Sequence, residues 1–476
     1  MTWVVRALMI AAPLLPSPWT SAAAAEAVDH VPHLDGGELS LLWAVPFAGI
    51  LLSIALLPLL APSFWHHHFG KLSALWAAAF LVPFGLRFGW NLALFEALHT
   101  ALLEYFPFII LLLSLFTITG GLRVRTSRQG TPSFNTGLLA FGTFLASWTG
   151  TTGAAMLLIR PLLRANAWRR AKVHIVVFFI FLVANIGGSL TPLGDPPLFL
   201  GFLKGVDFFW PTRAMFLPMV VLAVLLLLIF YGIDRSMMAR EGAPPPPADD
   251  EPGLKIEGTV NLVLLIGVVL AVLMSGVWDP GISFTLYHVE VELQSLLRDL
   301  LLLLLAGASW WLTPMVTRTA NEFSWFPIVE VAKLFAGIFI TIIPAIAILR
   351  AGSAGALAPV VDAVNRNGEP VDAMYFWATG ILSSFLDNAP TYLVFFNTAG
   401  GDAEILTGPL SSTLLAISAG AVFMGANTYI GNAPNFMVRA IAEERGVRMP
   451  SFFGYMGWSC VILLPLFGLI TWLFFL

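Results

Sequence analysis

Apolar runs of roughly twenty residues recur along this chain, at 41–62, 72–92, 101–120, 213–233, 258–278, 298–316, 334–349 and 452–476. A helix of about twenty residues rises through the ~30 Å hydrocarbon core of a bilayer. Inside that core each backbone N–H and C=O must be paired within the protein, so such runs fold as helices. Only 11% of the 476 residues are charged and 58% are hydrophobic, whereas a soluble domain carries about 25% charged residues. The reading is an all-α polytopic membrane protein. A net charge of -4 suits no nucleic-acid partner, and the single cysteine, Cys460, rules out a disulfide framework or a thiolate metal cluster. The chain has no phosphate-binding glycine loop, HExxH or GxSxG motif, which points away from an enzyme or an ATP-driven pump.

The first 25 residues pair Arg6 with a short apolar core, "ALMIAAPLLP", and small residues in "TSAAAAEA". They read as a secretory signal peptide, with an uncleaved N-terminal helix as the alternative. In either case the chain that follows starts outside.

Four further apolar segments, 134–163, 173–200, 373–399 and 410–438, are interrupted by glycine, proline and polar residues. No helix runs smoothly through "NIGGSLTPLGDPP", Asn185 to Pro197. A proline-rich linker at 240–257 separates a first half, 26–239, from a second, 258–476. Basic clusters at 123–128, 160–172 and 439–448 belong inside. Counting spans then requires 134–163 and 373–399 to enter and leave on one side each. Both are expected to be re-entrant hairpins, the first opening to the cytoplasm and the second to the outside, which makes the halves inverted-topology repeats. A weak repeat supports this: "TPLGDPP" (191–197) lines up with "TYIGNAP" (428–434), an offset of 431 − 194 = 237. The hairpin tips line up at 236, Ser147 with Ser383 and Thr151 with Asp387.

Asp195 and Asp387 stand at the polar breaks of opposite halves. Acids inside a membrane are costly and mark ion pathways, while Asp is also a common helix cap. Asn185, Asn388, Asn427, Asn432, Thr151, Thr152, Thr191 and Thr428 are candidate neutral ligands, with capping or interhelical hydrogen bonding as the alternative for each. Gly150, Gly153, Gly194 and Gly431 read as points of close backbone approach, and Pro196, Pro197, Pro390 and Pro434 as helix breakers. Four other features have plainer readings. Arg160 fits a cytoplasmic hairpin mouth, and Glu330 and Lys333 fit a pair on an interfacial helix before 334–349. His66, His67 and His68 fit a cytoplasmic loop, and His174 fits either a proton relay or a polar helix end.

The segments "TGTTGAAMLLIRPL", "LDNAPTYLVFFN", "GGSLTPLGDPPLFL" and "GANTYIGNAPNFMV" resemble the ion transporter superfamily, in its bacterial citrate-transporter-like, sodium:proton antiporter branch. The resemblance implies a scaffold with a mobile, elevator-type transport domain, hairpins at the site and a homodimer. The tips differ from the Ser-Asn-Thr tips of dicarboxylate carriers. The expected function is an inner-membrane Na+/H+ antiporter with Na+ at Asp387 and Asp195, no cofactor, and Na+ and H+ as transported or coupling ions. The alternative is a Na+- or proton-coupled carrier of citrate or another small anion. A channel or an embedded enzyme forms a third class that nothing in the sequence calls for.

Overall fold

A computed structural model describes residues 34–242 and 254–476. The expected leader at 1–25 and residues 243–253 of the linker lie outside the described residues. Eight long apolar helices form where the runs predict them: α1 (Val45–Leu60), α2 (Pro62–Phe88), α3 (Trp90–Thr119), α8 (Trp210–Glu241), α9 (Val260–Val277), α10 (Leu293–Leu312), α11 (Phe326–Arg350) and α16 (Phe452–Phe474). Their outer faces carry large exposed apolar side chains, such as Trp311 at 86% and Val277 at 82% exposure. Such a surface is matched by lipid rather than water.

The four interrupted segments each form two short helices. They are α4 (Pro132–Thr149) with α5 (Thr151–Ala165), and α6 (Val173–Leu182) with α7 (Pro196–Leu203). In the second half they are α12 (Asp372–Phe385) with α13 (Asn388–Thr398), and α14 (Ser411–Met424) with α15 (Ala433–Glu444). Nine of the ten residues of α6, all but Val173, are buried, as expected for a helix apolar on nearly all sides. Among these segments α12 packs on α14, α5 on α15 and α7 on α13. Six of the long helices form a second set, with α11 on α2 and α10 on α3 and α9, while α8 packs on α4, α6 and α14, and α16 on the break after α14. The two sets meet where α5 touches α3 and α13 touches α11.

The ends of the α4–α5 pair come together, because Gly130 N–H donates to the Ala165 carbonyl at 2.8 Å and Asn135 bonds Asn166 at 3.0 Å. Basic residues gather at this end of the molecule. Arg160 and Arg445 both grip Glu322, at 3.0 and 2.7 Å, and Arg169 bonds Glu241 at 2.9 Å.

Three short ribbons add to the expected helices, and two local expectations are corrected. Strands Arg123–Thr126 and Leu254–Glu257 pair antiparallel, so the C-terminal end of the linker is a ribbon held to the first basic cluster, with Arg123 3.2 Å from Glu257. Two more ribbons, Ser283–Leu286 with Val289–Glu292 and Asn365–Arg366 with Glu369–Pro370, interrupt the otherwise helical fold. The triple histidine belongs to α2 rather than a loop; His67 and His68 bond carbonyls four residues back, and His66 leans on Phe326. Glu330 and Lys333 lie within the continuous helix α11, not on a separate interfacial helix.

Candidate functional site

The same hydrogen-bond pattern is built twice at the breaks. Ser147 Oγ donates to the Gly187 carbonyl at 2.5 Å, and Ser384 Oγ to the Met424 carbonyl at 3.0 Å. Thr191 Oγ1 donates to the Ser147 carbonyl, as Thr428 Oγ1 does to that of Ser384. Leu193 N–H returns a bond to Thr191, as Ile430 N–H does to Thr428, both at 3.2 Å. Each correspondence has one offset: 384 − 147 = 424 − 187 = 428 − 191 = 430 − 193 = 237. The expected 236 for the hairpin tips is therefore corrected by one residue. Ser147 matches Ser384, and Thr151 matches Asn388, while Ser383 bonds the Ala421 carbonyl instead.

Glycine is required where these loops fold back. A Cβ on Gly194 would lie 2.1 Å from the Gly188 carbonyl oxygen, and one on Gly431 would lie 2.5 Å from that of Gly425. Gly150, between α4 and α5, holds φ at 79° and ψ at 147°, a region nearly closed to other residues. A Cβ on Gly153 would meet Thr119 at 2.7 Å. Pro196 and Pro197 open α7, Pro434 opens α15, and Pro390 lies in the first turn of α13. They start second half-helices, where a missing N–H costs nothing.

Four breaks converge on one carboxylate. Asp195, 1% exposed, accepts from Thr151 Oγ1 at 3.0 Å, Asn388 Nδ2 at 2.5 Å and Asn432 Nδ2 at 3.1 Å. Thr151 and Asn388 are counterparts in the two halves, and Asn432 is the counterpart of Asp195 itself. All three partners are neutral, and the Asn388 Oδ1 atom is buried without a partner. Asn185 supports the cluster by accepting from Asn432 at 3.3 Å and donating to Asn435 at 2.7 Å. Asn435 in turn bonds the Gly425 and Thr428 carbonyls. Asn427 bonds Ser384 at 2.9 Å and leaves its own Oδ1 buried and unpaired.

The remaining candidates sit elsewhere. Thr191 and Thr428 tie the crossings together and do not bond the carboxylate. Asp387 caps α13 by accepting from Ala389 N–H at 3.1 Å and is half-buried. Its charge is near enough to act on Asp195, but no hydrogen bond links them. Thr152 and Gly153 line a cavity of about 290 Å³ that also reaches Asp195. No lysine or arginine lines it among the described residues.

Sequence reasoning missed two groups around the breaks. Asn435 follows "GNAP" closely enough to have been included with Asn432. The second is a buried ionic cluster away from Asp195, in which Asp234 of α8 bonds Arg169, Asn135 at 2.9 Å and His174 at 2.8 Å. His174 is thus part of a fully paired network. The sequence signals were His174, the basic cluster that holds Arg169 and an acid inside the apolar helix α8, with nothing to join them.

No curated protein matches the chain at a significant level. Residues 36–475 match the family CitMHS_2, whose description reads "Putative citrate transport". The match spans all eight long helices and all four interrupted segments among the described residues, and the chain is thus a member of this citrate-transporter-like family of ion transporters.

Proposed function

We propose that this protein is a secondary cation/proton antiporter of a cell's inner membrane, with Asp195 as the exchanging group and Na+ as the cation. The observation that carries this reading is a nearly fully buried carboxylate whose hydrogen-bond partners are all neutral. An unpaired charge in such surroundings is costly, and a bound proton or metal cation offsets that cost. Hard cations favour oxygen ligands. The Asp195 carboxylate, the free Asn388 Oδ1 and the Thr151 hydroxyl supply them at one point. Unwound backbone at half-helix ends adds carbonyl oxygens and dipoles of the kind such sites use. The doubled hydrogen-bond pattern supports two inverted repeats. The packing of six long helices apart from the interrupted segments, which gather α8 and α16, supports an elevator-type division into scaffold and transport unit, and the resemblance implies a homodimer.

A second reading is a Na+- or proton-coupled carrier of citrate or another small anion, and the family description favours it. Against it stand the acidic groups in the cavity and the lack of a lining cation, since like charges repel strongly in a low-dielectric site.

The test is reconstitution into liposomes holding a pH dye. Addition of Na+ or Li+ releases lumenal protons from wild-type vesicles, and Asp195→Asn abolishes the signal. Wild-type vesicles that accumulate labelled citrate, and move no proton with either cation, overturn the antiport reading in favour of the anion carrier.

A further inference from the structure

The cavity beside Asp195 holds a second acid that the exchange reaction as described leaves unused. Glu330 lines the same space from α11, across from the hairpin tip at Thr151 and Thr152. Asp195 and Glu330 are the two titratable side chains among the described lining residues; most of the other walls are phenylalanine, leucine and similar apolar groups. We propose that Glu330 is the entry-side carboxylate of the cation route, attracting the ion and handing it to Asp195. This inference rests on the antiport reading above.

The plain explanation for Glu330 was an ion pair with Lys333 one turn along. The structure instead places the Lys333 ammonium over the Phe69 ring, 5.6 Å from its centroid. Trp65 and His66 of α2 stand close enough to act on the Glu330 carboxylate. A half-buried acid in an apolar wall is expensive to keep. What it gains is position. Phe326 and Pro327, at the start of α11, line the cavity too. The loop before them carries Glu322, which Arg160 and Arg445 grip at the basic end of the molecule. The cavity thus reaches the start of α11, with Glu330 and Asp195 along it. A negative group between low-dielectric walls concentrates cations and repels anions. Glu330 stands on the long-helix set and Asp195 on the interrupted set, so the hand-over crosses the boundary between the two.

The test uses the purified full chain. An apolar carbodiimide modifies membrane-embedded carboxyl groups, and peptide mass spectrometry reads the extent at each acid. In wild type, Na+ slows modification at both Asp195 and Glu330. In Glu330→Gln, the Na+ needed to protect Asp195 rises about tenfold, and the half-saturation for Na+-driven proton release rises with it while the maximal rate stays within about twofold. Glu330→Asp keeps the charge and restores most of the Na+ sensitivity. Lower thermal stability of Glu330→Gln with unchanged Na+ dependence assigns a purely structural role and overturns the proposal. So does protection of Asp195 without protection of Glu330 in wild type. Absence of any Na+ or Li+ effect in wild type instead removes the antiport reading, and this inference with it.

Discussion

The break at Asp195 and the break at Asn432 share a backbone and differ in chemistry. Both fold back through a glycine against a carbonyl six residues earlier, both are tied by a threonine to a serine carbonyl, and both open a short helix with proline. One presents an acid and the other an amide, and the amide donates to the acid at 3.1 Å. The architecture is therefore duplicated while the charge is not. On the antiport reading proposed above, a single carboxylate among neutral donors offers one negative charge to an exchangeable cation. A second acid in the matching position would face it at hydrogen-bonding distance.

This contrast can be broken most severely by making the halves alike. Asn432→Asp puts two carboxylates in contact, and such a pair ionises only once near neutrality. Na+-driven proton release should collapse at neutral pH and return as the medium is acidified, which a pH series in proteoliposomes reads directly. The exchange Asp195→Asn with Asn432→Asp moves the charge to the other half. Partial recovery over Asp195→Asn alone is expected, and no recovery would show that the halves are equivalent in backbone only.

Gly194→Ala and Gly431→Ala test the shared fold-back. Each forces a Cβ against a backbone carbonyl, and each should cost about 1–3 kcal/mol of stability, more at Gly194, where the approach is 2.1 Å rather than 2.5 Å. Thermal unfolding in detergent checks the order. The smallest effect is expected at Asp387. Asn caps a helix about as well as Asp, so Asp387→Asn keeps the bond to Ala389 and removes only charge. Transport within about threefold of wild type, roughly 0.7 kcal/mol, fits a cap; loss as complete as in Asp195→Asn would make Asp387 a ligand.

The long spans and the four interruptions were legible because lipid imposes a coarse rule on length and polarity. The pairing of Asp195 with Asn432 was legible because glycine and proline fix the local chain path. The hairpin register was misread by one residue because Ser383 and Ser384 are adjacent and only their bonds tell them apart. The cluster around Asp234 was hidden because Arg169 and His174 are 65 and 60 residues away in sequence. Glu330 reads in sequence as the partner of Lys333 on an interfacial helix because charge near a helix start has that ordinary explanation, and only the cavity places it beside Asp195.

The half-length of α6 has an electrical consequence. Its ten residues rise about 15 Å, half of the ~30 Å hydrocarbon thickness, so a half-helix that starts at the membrane surface puts the break holding Asp195 near mid-depth. A full crossing changes the energy of one elementary charge by about 2.3 kcal/mol per 100 mV, so a mid-depth site feels about half of that, roughly a sevenfold change in occupancy. On the antiport reading proposed above, the polarisation of the membrane sets how often the carboxylate is filled, before any helix moves.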